Sequence, residues 1–398
     1  MGERLQDALD EFDAACRESR DLIAATDRFR DSEANRALAY QSLVEARAMA
    51  YNLAVAPRLD HPRLNGQQSW HSHFFSLGGN CQDFRYGATL LDGRQTYRLT
   101  GRVGELKLAL FQVQNTIMGH PDHRELSNTD LLDLAGPDGR FEVPISAEPQ
   151  DGPWIELDPD SRLNFVIVRR ILSSIADDPG ELRIERIGGE EPTSFADPDA
   201  MAERLFRAAD LVRYIVANWC VGLYDMYAKA AGGMNRMAHI AGKELADNVL
   251  GSPSTTYGLG SFELDLDEAL LVQWQMSDTA YWSFQLQDVW SNPLDFFNYQ
   301  TDLGMADAAI DDTGTFRAVV SAQDPGIANW LDTRGLRDGV VIMRNYRARG
   351  ETQDPVMEKV RFSDLVDRLP ADTPRVTPAE RAAALSGRRV RYLNAYRD

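Results

Sequence analysis

Two stretches of this chain carry the same residues in the same order, and a duplication restricts the fold more than any other feature of the sequence. DGRFEVPISAEP at 138–149, Trp154 and NFVIVRR at 164–170 match TGTFRAVVSAQDP at 313–325, Trp330 and GVVIMRN at 339–345. Phe141 and Phe316, Ser146 and Ser321, and Arg169 and Arg344 are all separated by 175 residues, while the tryptophan slips by one. Upstream, Phe111-Gln112-Val113-Gln114 matches Phe284-Gln285-Leu286-Gln287, and downstream Asp178-Pro179 matches Asp354-Pro355. Each copy is therefore a unit with its own apolar face to bury.

Periodicity supplies the elements. Leu5, Leu9, Phe12, Cys16 and Ile23, then Tyr40, Val44, Ala48, Tyr51 and Val55, recur at helical spacing; Ser32 can cap the second helix and Pro57 stops it. From Phe84 the period is two, and Asp92-Gly93 reads as a hairpin turn between strands. Asp197-Pro198 opens a helix with the stripe Leu205, Ala208, Val212, Ile215, Trp219 and Leu223, closed by Gly232-Gly233. A further helix is expected through Met237 and Leu245, ending at Gly251, before strand patterning returns. The fold class is mainly β with helical additions. The expected boundaries are an N-terminal helical hairpin at 1–57, a first β-sandwich unit at 58–190, a helical segment at 191–256 and a second β-sandwich unit at 257–398. Many short alternating strands between turn residues are what a sandwich or jelly roll requires.

The segment from about Tyr257 to Asp398 contains EALLVQW, AYWSFQLQDVW, the DPG-x-x-NWLDT stretch at 324–333 and VVIMRNY. It resembles the bacterial family catalogued as domain of unknown function 1214. The resemblance covers a little over a third of the chain and implies a jelly-roll-like β-sandwich for the C-terminal unit. Where that family leads one to expect a QTSLN-like run, this chain has Gln300-Thr301-Asp302-Leu303-Gly304, so whatever that loop binds is expected to differ.

Charge narrows the function classes. With 61 acidic against 42 basic residues, the net charge of −19 repels phosphate backbones and anionic headgroups, so neither nucleic acid nor a membrane surface is an expected partner. No apolar run has spanning length and the charged N-terminus lacks a signal-peptide core, which reads as a cytoplasmic protein. Cys16, Cys81 and Cys220 are widely spaced and read as buried thiols in a reducing compartment. Without a Walker loop, a GxGxxG after a strand, a GxSxG elbow or an HExxH, no cofactor is implied. A homo-oligomer is allowed by the sequence but not specified.

Three groups of residues could carry chemistry. His61, His71, His73, His120 and His123 cluster in sequence; His71 and His73 would share a strand face, and with His120 and His123 could form an N/O metal set. A turn-like GHPDH needs no metal, however. Arg169 and Arg344 end apolar strands where a guanidinium needs a partner, with Asp158 or Asp160 and Asp324 or Asp332 as candidates. Because the arrangement occurs twice, a structural clamp is the expectation, with Arg344 open to carboxylate recognition.

The third group is the densest. Trp282, Gln285, Gln287, Trp290, Asn298, Asn329, Trp330 and Arg344 have the aromatic and amide character of a pocket for a small hydrophobic molecule. Asp288 or Asp324 would be the general base there, and Tyr281 or Tyr299 the acid. Alternation places Trp282, Phe284 and Leu286 on one face and Gln285 and Gln287 on the other. A sandwich with an aromatic core and solvated glutamines explains the same residues. The functional expectation is an enzyme performing proton-transfer work (lyase, isomerase or hydrolase) on a terpenoid, steroid or aromatic acid. The alternatives are a non-catalytic ligand- or carbohydrate-binding or assembly protein, and a metal-dependent β-barrel enzyme using the histidines.

Overall fold

Each copy of the duplicated sequence folds into two layers of four equivalent strands in one order, one layer of the second copy carrying a fifth strand at its edge. The structure, a computed structural model, describes residues 2–64, 76–188, 196–243 and 251–396. In the first copy, β1 (Phe84–Leu91), β3 (Leu108–Gln114), β4 (Glu125–Asp130) and β7 (Asn164–Ile171) form one sheet in the order β1-β7-β3-β4. The other sheet joins β2 (Thr96–Arg102), β5 (Arg140–Ser146), β6 (Ile155–Glu156) and β8 (Glu181–Ile187) in the order β6-β5-β2-β8.

The second copy repeats this with β10 (Thr255–Glu263), β12 (Tyr281–Gln287), β13 (Asp302–Gly304) and β16 (Asp338–Tyr346) in the order β13-β12-β16-β10. Its other sheet runs β15-β14-β11-β17, from β11 (Glu268–Gln275), β14 (Thr315–Ser321), β15 (Trp330–Asp332) and β17 (Val356–Arg361). Even the exceptional parallel pairing recurs, β5 with β6 and β14 with β15. Phe141 and Phe316 lie on the equivalent β5 and β14, and Arg169 and Arg344 on the equivalent β7 and β16.

Alternation fills the space between the layers. In the first copy Tyr97, Leu99, Phe111, Phe141, Val143 and Val168 form the core, and in the second Trp274, Trp282, Phe284, Phe316, Val320 and Met343 do. Each such side chain contributes roughly 1.5–3 kcal/mol through burial. Asp92-Gly93 is not a hairpin turn. β1 pairs with β7 while β2 pairs with β5 and β8, so this turn carries the chain from one sheet to the other. Glycine is required there because a Cβ on Gly93 would lie 1.8 Å from the Asp158 carbonyl oxygen.

The helices begin where the capping residues lie. The first spans Gly2–Ala24, and the second, Glu33–Ala50, starts at Ser32, whose hydroxyl accepts from Asn35 N at 3.1 Å. The central helix starts at Pro198 behind Asp197, whose carboxylate accepts from Asp199 N at 3.0 Å. It ends after a wide-turn stretch, Ile215–Gly222, and Leu223–Ala230. The helix expected through Met237 is instead, over Arg236–Ala241, the strand β9, paired antiparallel with β10. Six residues with apolar groups at both spacings do not settle the period, and the unpaired edge of β10 decides it.

Two compact units divide the chain. One comprises Met1–Leu77, Phe84–Leu172 and Asp177–Trp219, and the other Gly78–Asp83, Ser173–Ala176 and Cys220–Asp398. The second unit thus borrows two short segments from the first half of the sequence. Among the described residues, no helix is long and apolar enough to cross a membrane.

Candidate active site

Strand alternation in β12 sends Trp282, Phe284 and Leu286 into the core of the second unit. Tyr281, Ser283, Gln285 and Gln287 point to the opposite face, yet all four are at most 1% exposed. They are covered by a strap, Gly78–Asp83, that belongs to the same unit. The strap runs antiparallel to β12. At one end, a Cβ on Gly79 would stand 2.9 Å from Gln287 Nε2. In the middle, Cys81 Sγ lies 3.6 Å from Ser283 Oγ and 3.3 Å from Tyr281 Oη. At the far end, the Tyr281 hydroxyl donates to Asp83 Oδ2 at 2.9 Å. Gly78 and Gly79, with φ of 89° and 73°, turn the chain into this path in a region that disfavours side chains.

Two arginines anchor the same face. Arg344 Nη1 donates to Gln285 Oε1 at 3.0 Å, and its Nη2 donates to the Gly79 carbonyl. Arg169 donates to Gln112 in the first copy in the same way, so the buried arginine-glutamine clamp is part of the duplicated framework. The aspartates expected as partners lie elsewhere: Asp158 pairs with Arg124, Asp332 with Arg334 and Asp324 with Arg381. An in-sheet glutamine, two residues and one strand away, reaches the guanidinium without the cost of burying a second charge. On the C-terminal helix, Pro378–Ala395, Arg388 pairs with Asp302 of β13, and Tyr392 Oη donates to the Gln82 carbonyl at 3.4 Å.

The polar additions are specific to the second copy. By strand pairing, Tyr281, Ser283 and Asp302 occupy the places held by Leu108, Leu110 and Asn128 in the first. Two apolar positions and an amide have become a phenol, a hydroxyl and a carboxylate, while the clamp is unchanged.

Burial sets the protonation. It lifts the Asp83 carboxyl well above the usual carboxylate range, and neighbouring Asp302 raises it further. Burial likewise raises the Tyr281 phenol, helped by Asp83, and the Cys81 thiol. Asp302 is pushed up to about 6 by burial, against the opposing pull of Arg388. The site therefore sets a carboxylic acid and a phenol, both shifted toward their neutral forms, beside a second carboxyl that titrates at about 6. Two neighbouring carboxyls, both raised and in different surroundings, are groups that acid–base chemistry can use.

Of the residues anticipated from sequence, Tyr281, Gln285, Gln287 and Arg344 come together here. Trp282 lies on the other face, 1% exposed, with its ring 5.1 Å from Phe316. Asp288 accepts from Trp290 N at 2.8 Å, Asn292 N at 3.0 Å and Asn292 Nδ2 at 2.9 Å, which fixes the turn that also buries Trp290. Asp324 accepts from Gly326 N and from Arg381, and Asn298 donates to Asp295 within its own loop. Tyr299 stacks under the Arg334 guanidinium, 3.5 Å from the ring centroid. Asn329 donates to the Ala309 and Arg317 carbonyls, and Trp330 donates to the Ser321 carbonyl at 3.1 Å. Asn329 also borders an open cleft of about 270 Å³ with Asp311, Thr315 and Arg317.

His71 and His73 lie outside the described residues. In the first unit, His120 Nδ1 accepts from Asp122 N at 3.2 Å and His123 Nε2 is 2.8 Å from Gln114 Oε1. Among the described residues, no group of three His, Cys, Asp or Glu side chains could hold a metal ion.

Sequence reasoning did not reach Cys81, Asp83, Ser283, Asp302 or Arg388. For Asp302 there was a signal, since it is one of the two residues, with Gly304, by which 300–304 departs from the QTSLN-like run. For Asp83 there was none, because nothing in 58–83 has a period.

No family model matches the chain, and no curated protein does. Among solved structures, an uncharacterized protein from Burkholderia cenocepacia is 26% identical with a TM-score of 0.82, covering 91% of this chain and 99% of its own. A Vibrio parahaemolyticus protein is 13% identical with a TM-score of 0.47, covering 80% of this chain and 98% of its own. A vicilin from Solanum melongena is 10% identical with a TM-score of 0.20, covering 74% and 87%. The first shows that the fold, along nearly the full chain, is shared by a second protein.

Proposed function

We propose that the second unit is an enzyme site that moves a proton on a small, largely hydrophobic metabolite bearing a carbonyl group, of terpenoid, steroid or aromatic type. The observation that carries this reading is Asp83, a carboxyl kept neutral by burial and 2.9 Å from the Tyr281 phenol oxygen. Two neutral donors side by side can stabilise an oxygen on which negative charge develops, and a desolvated site makes each worth more than in water. Asp302, poised at about 6, supplies the base. It would take the proton from carbon as the bond's electron pair shifts onto the carbonyl oxygen, where Asp83 and Tyr281 donate. Returning the proton to a different carbon gives isomerisation, and losing a leaving group gives a lyase step.

The test works whatever the product is. Terpenoid, steroid and aromatic carbonyl compounds are screened for thermal stabilisation of the protein, and the binders are incubated with it in D2O while carbon-bound deuterium is followed by NMR. Exchange should rise with pH through about 6, and Asp83→Asn and Tyr281→Phe should each slow it by roughly 10²–10⁴-fold. A ligand that binds without exchanging protons would establish the non-catalytic binding protein instead, and failure of every compound to bind would remove the reading.

A further inference from the structure

We infer that the Gln287 end of the strapped face is a binding subsite for a primary carboxamide, which rests on the reading of this face as a ligand site and names the polar head of its ligand. Gln287 is 1% exposed, and among the described residues neither its Nε2 nor its Oε1 has a hydrogen-bond partner; Gln285 Nε2, two residues away on the same face, also lacks one. Leaving such groups unmet forfeits their hydration with nothing in return, and folded proteins rarely do so. The equivalent glutamine of the first copy, Gln114, does engage its Oε1, with His123 Nε2 at 2.8 Å. Gln114 Nε2 is unmet as in Gln287, so what is particular to the copy that also carries Tyr281, Ser283 and Asp302 is the unmet Gln287 oxygen and the unmet Gln285 nitrogen, whose first-copy equivalent Gln112 donates to Glu125.

The donor and acceptor count selects the ligand. Gln285 Oε1 is occupied by Arg344, so Gln285 offers a donor only. Gln287 offers a donor and an acceptor on adjacent atoms. A carboxylate would satisfy the donors and leave the Gln287 oxygen facing another oxygen. A primary carboxamide satisfies both sides of Gln287 through a cyclic pair of hydrogen bonds, and its oxygen can also take the Gln285 N–H. The Gly79 peptide carbonyl, held on Arg344 Nη2, shows that an amide oxygen is recognised at this spot. The ligand's amide oxygen would take over that donor, with the two glycines letting the strap give way. Tyr281 lies four residues from Gln285 along the strand, on the order of 13 Å, so the head group and the reacting carbonyl belong to opposite ends of an elongated molecule.

Benzamide, benzoate and toluene are titrated against the full chain by calorimetry. Benzamide should bind, with benzoate and toluene each at least tenfold weaker. Gln287→Met keeps the shape, removes both unmet atoms and should weaken benzamide at least tenfold while leaving the melting temperature unchanged or higher. Gln287→Leu, which also removes both groups, should weaken it comparably and serves if the methionine variant fails to fold. Benzamide binding and carbon-bound deuterium exchange are separate readouts on the unaltered chain: exchange without benzamide binding overturns the subsite alone, and benzamide binding without exchange overturns the catalytic reading alone. Equal affinity for benzamide and toluene, no binding of benzamide, or benzamide binding indifferent to both Gln287 substitutions would each overturn the subsite.

Discussion

Asp83 makes a statement about stability as well as chemistry. Its folded pKa lies above its ordinary 3.8, because burial and Asp302 disfavour the charged form. The folded chain therefore binds more protons than the unfolded one above that value. The stabilising contribution is complete below pH 3.8 and is lost as pH rises toward the folded pKa, at about 1.4 kcal/mol per pH unit. Asparagine can still accept from Tyr281 but cannot ionise when unfolded. Denaturant titrations from pH 5 to 8 should show Asp83→Asn with a flatter decline than the parent and a relative gain in stability that grows with pH. Parallel pH dependences in the two proteins would mean that Asp83 is not held neutral. At this scale the sequence was readable where residue type and strand period agree, as for Tyr281, Gln285, Gln287 and Arg344. It was not readable for Asp288 or Asn329, since a carboxylate or amide that satisfies backbone groups in a turn looks the same in one dimension as one awaiting a ligand. Asp83 depended on a fold-back of about two hundred residues in sequence, which no local pattern encodes.

Among elements, the C-terminal helix is the one whose position the site depends upon. Its start is set locally by a capping box between Thr377 and Glu380 with Pro378 in the first turn, which the chain would form anywhere. What docks it is Arg388, 4% exposed, reaching Asp302 and the Phe296 carbonyl, with Arg391 and Arg388 sharing Asp307. Removing one member of a buried ion pair strands the other, a loss of about 3–5 kcal/mol. Arg388→Met should lose that much by denaturant unfolding and raise the Asp302 pKa, while adding Asp302→Asn should recover part of the loss. If the double variant is less stable than Arg388→Met, the pair is not what holds the helix. The same scale explains two misjudged elements. The capped helices were found because caps are local, whereas β9 and the Asp92-Gly93 crossover take their form from which strand edge is available, a property of the assembled sheet.

For the whole molecule, duplication explains why eight strands recur in one order, but it misleads about where a unit can be cut. Boundaries drawn from sequence place 58–190 in one sandwich and 257–398 in the other, whereas the second unit also contains Gly78–Asp83 and Ser173–Ala176. Those ten residues matter out of proportion to their number. The first segment covers the outer face of β12, and from the second Ile175 packs with Phe296 and Tyr392. A fragment of residues 196–398 keeps both sheets of the second copy and the core built on Trp274, Trp282 and Phe316. It loses the strap, which in the full chain lies over Tyr281, Gln285 and Arg344. Hydrogen exchange should then find β11 and β14 protected in the fragment, with β12 and β16 exchanging at least tenfold faster than in the full chain. A synthetic peptide of residues 76–84, added in excess, should restore part of that protection, and its Asp83→Asn form should do so at higher pH than the parent peptide. If β12 and β16 are as protected in the fragment as in the full chain, the strap is a passenger and the copy-specific polar face has no structural reason to be covered.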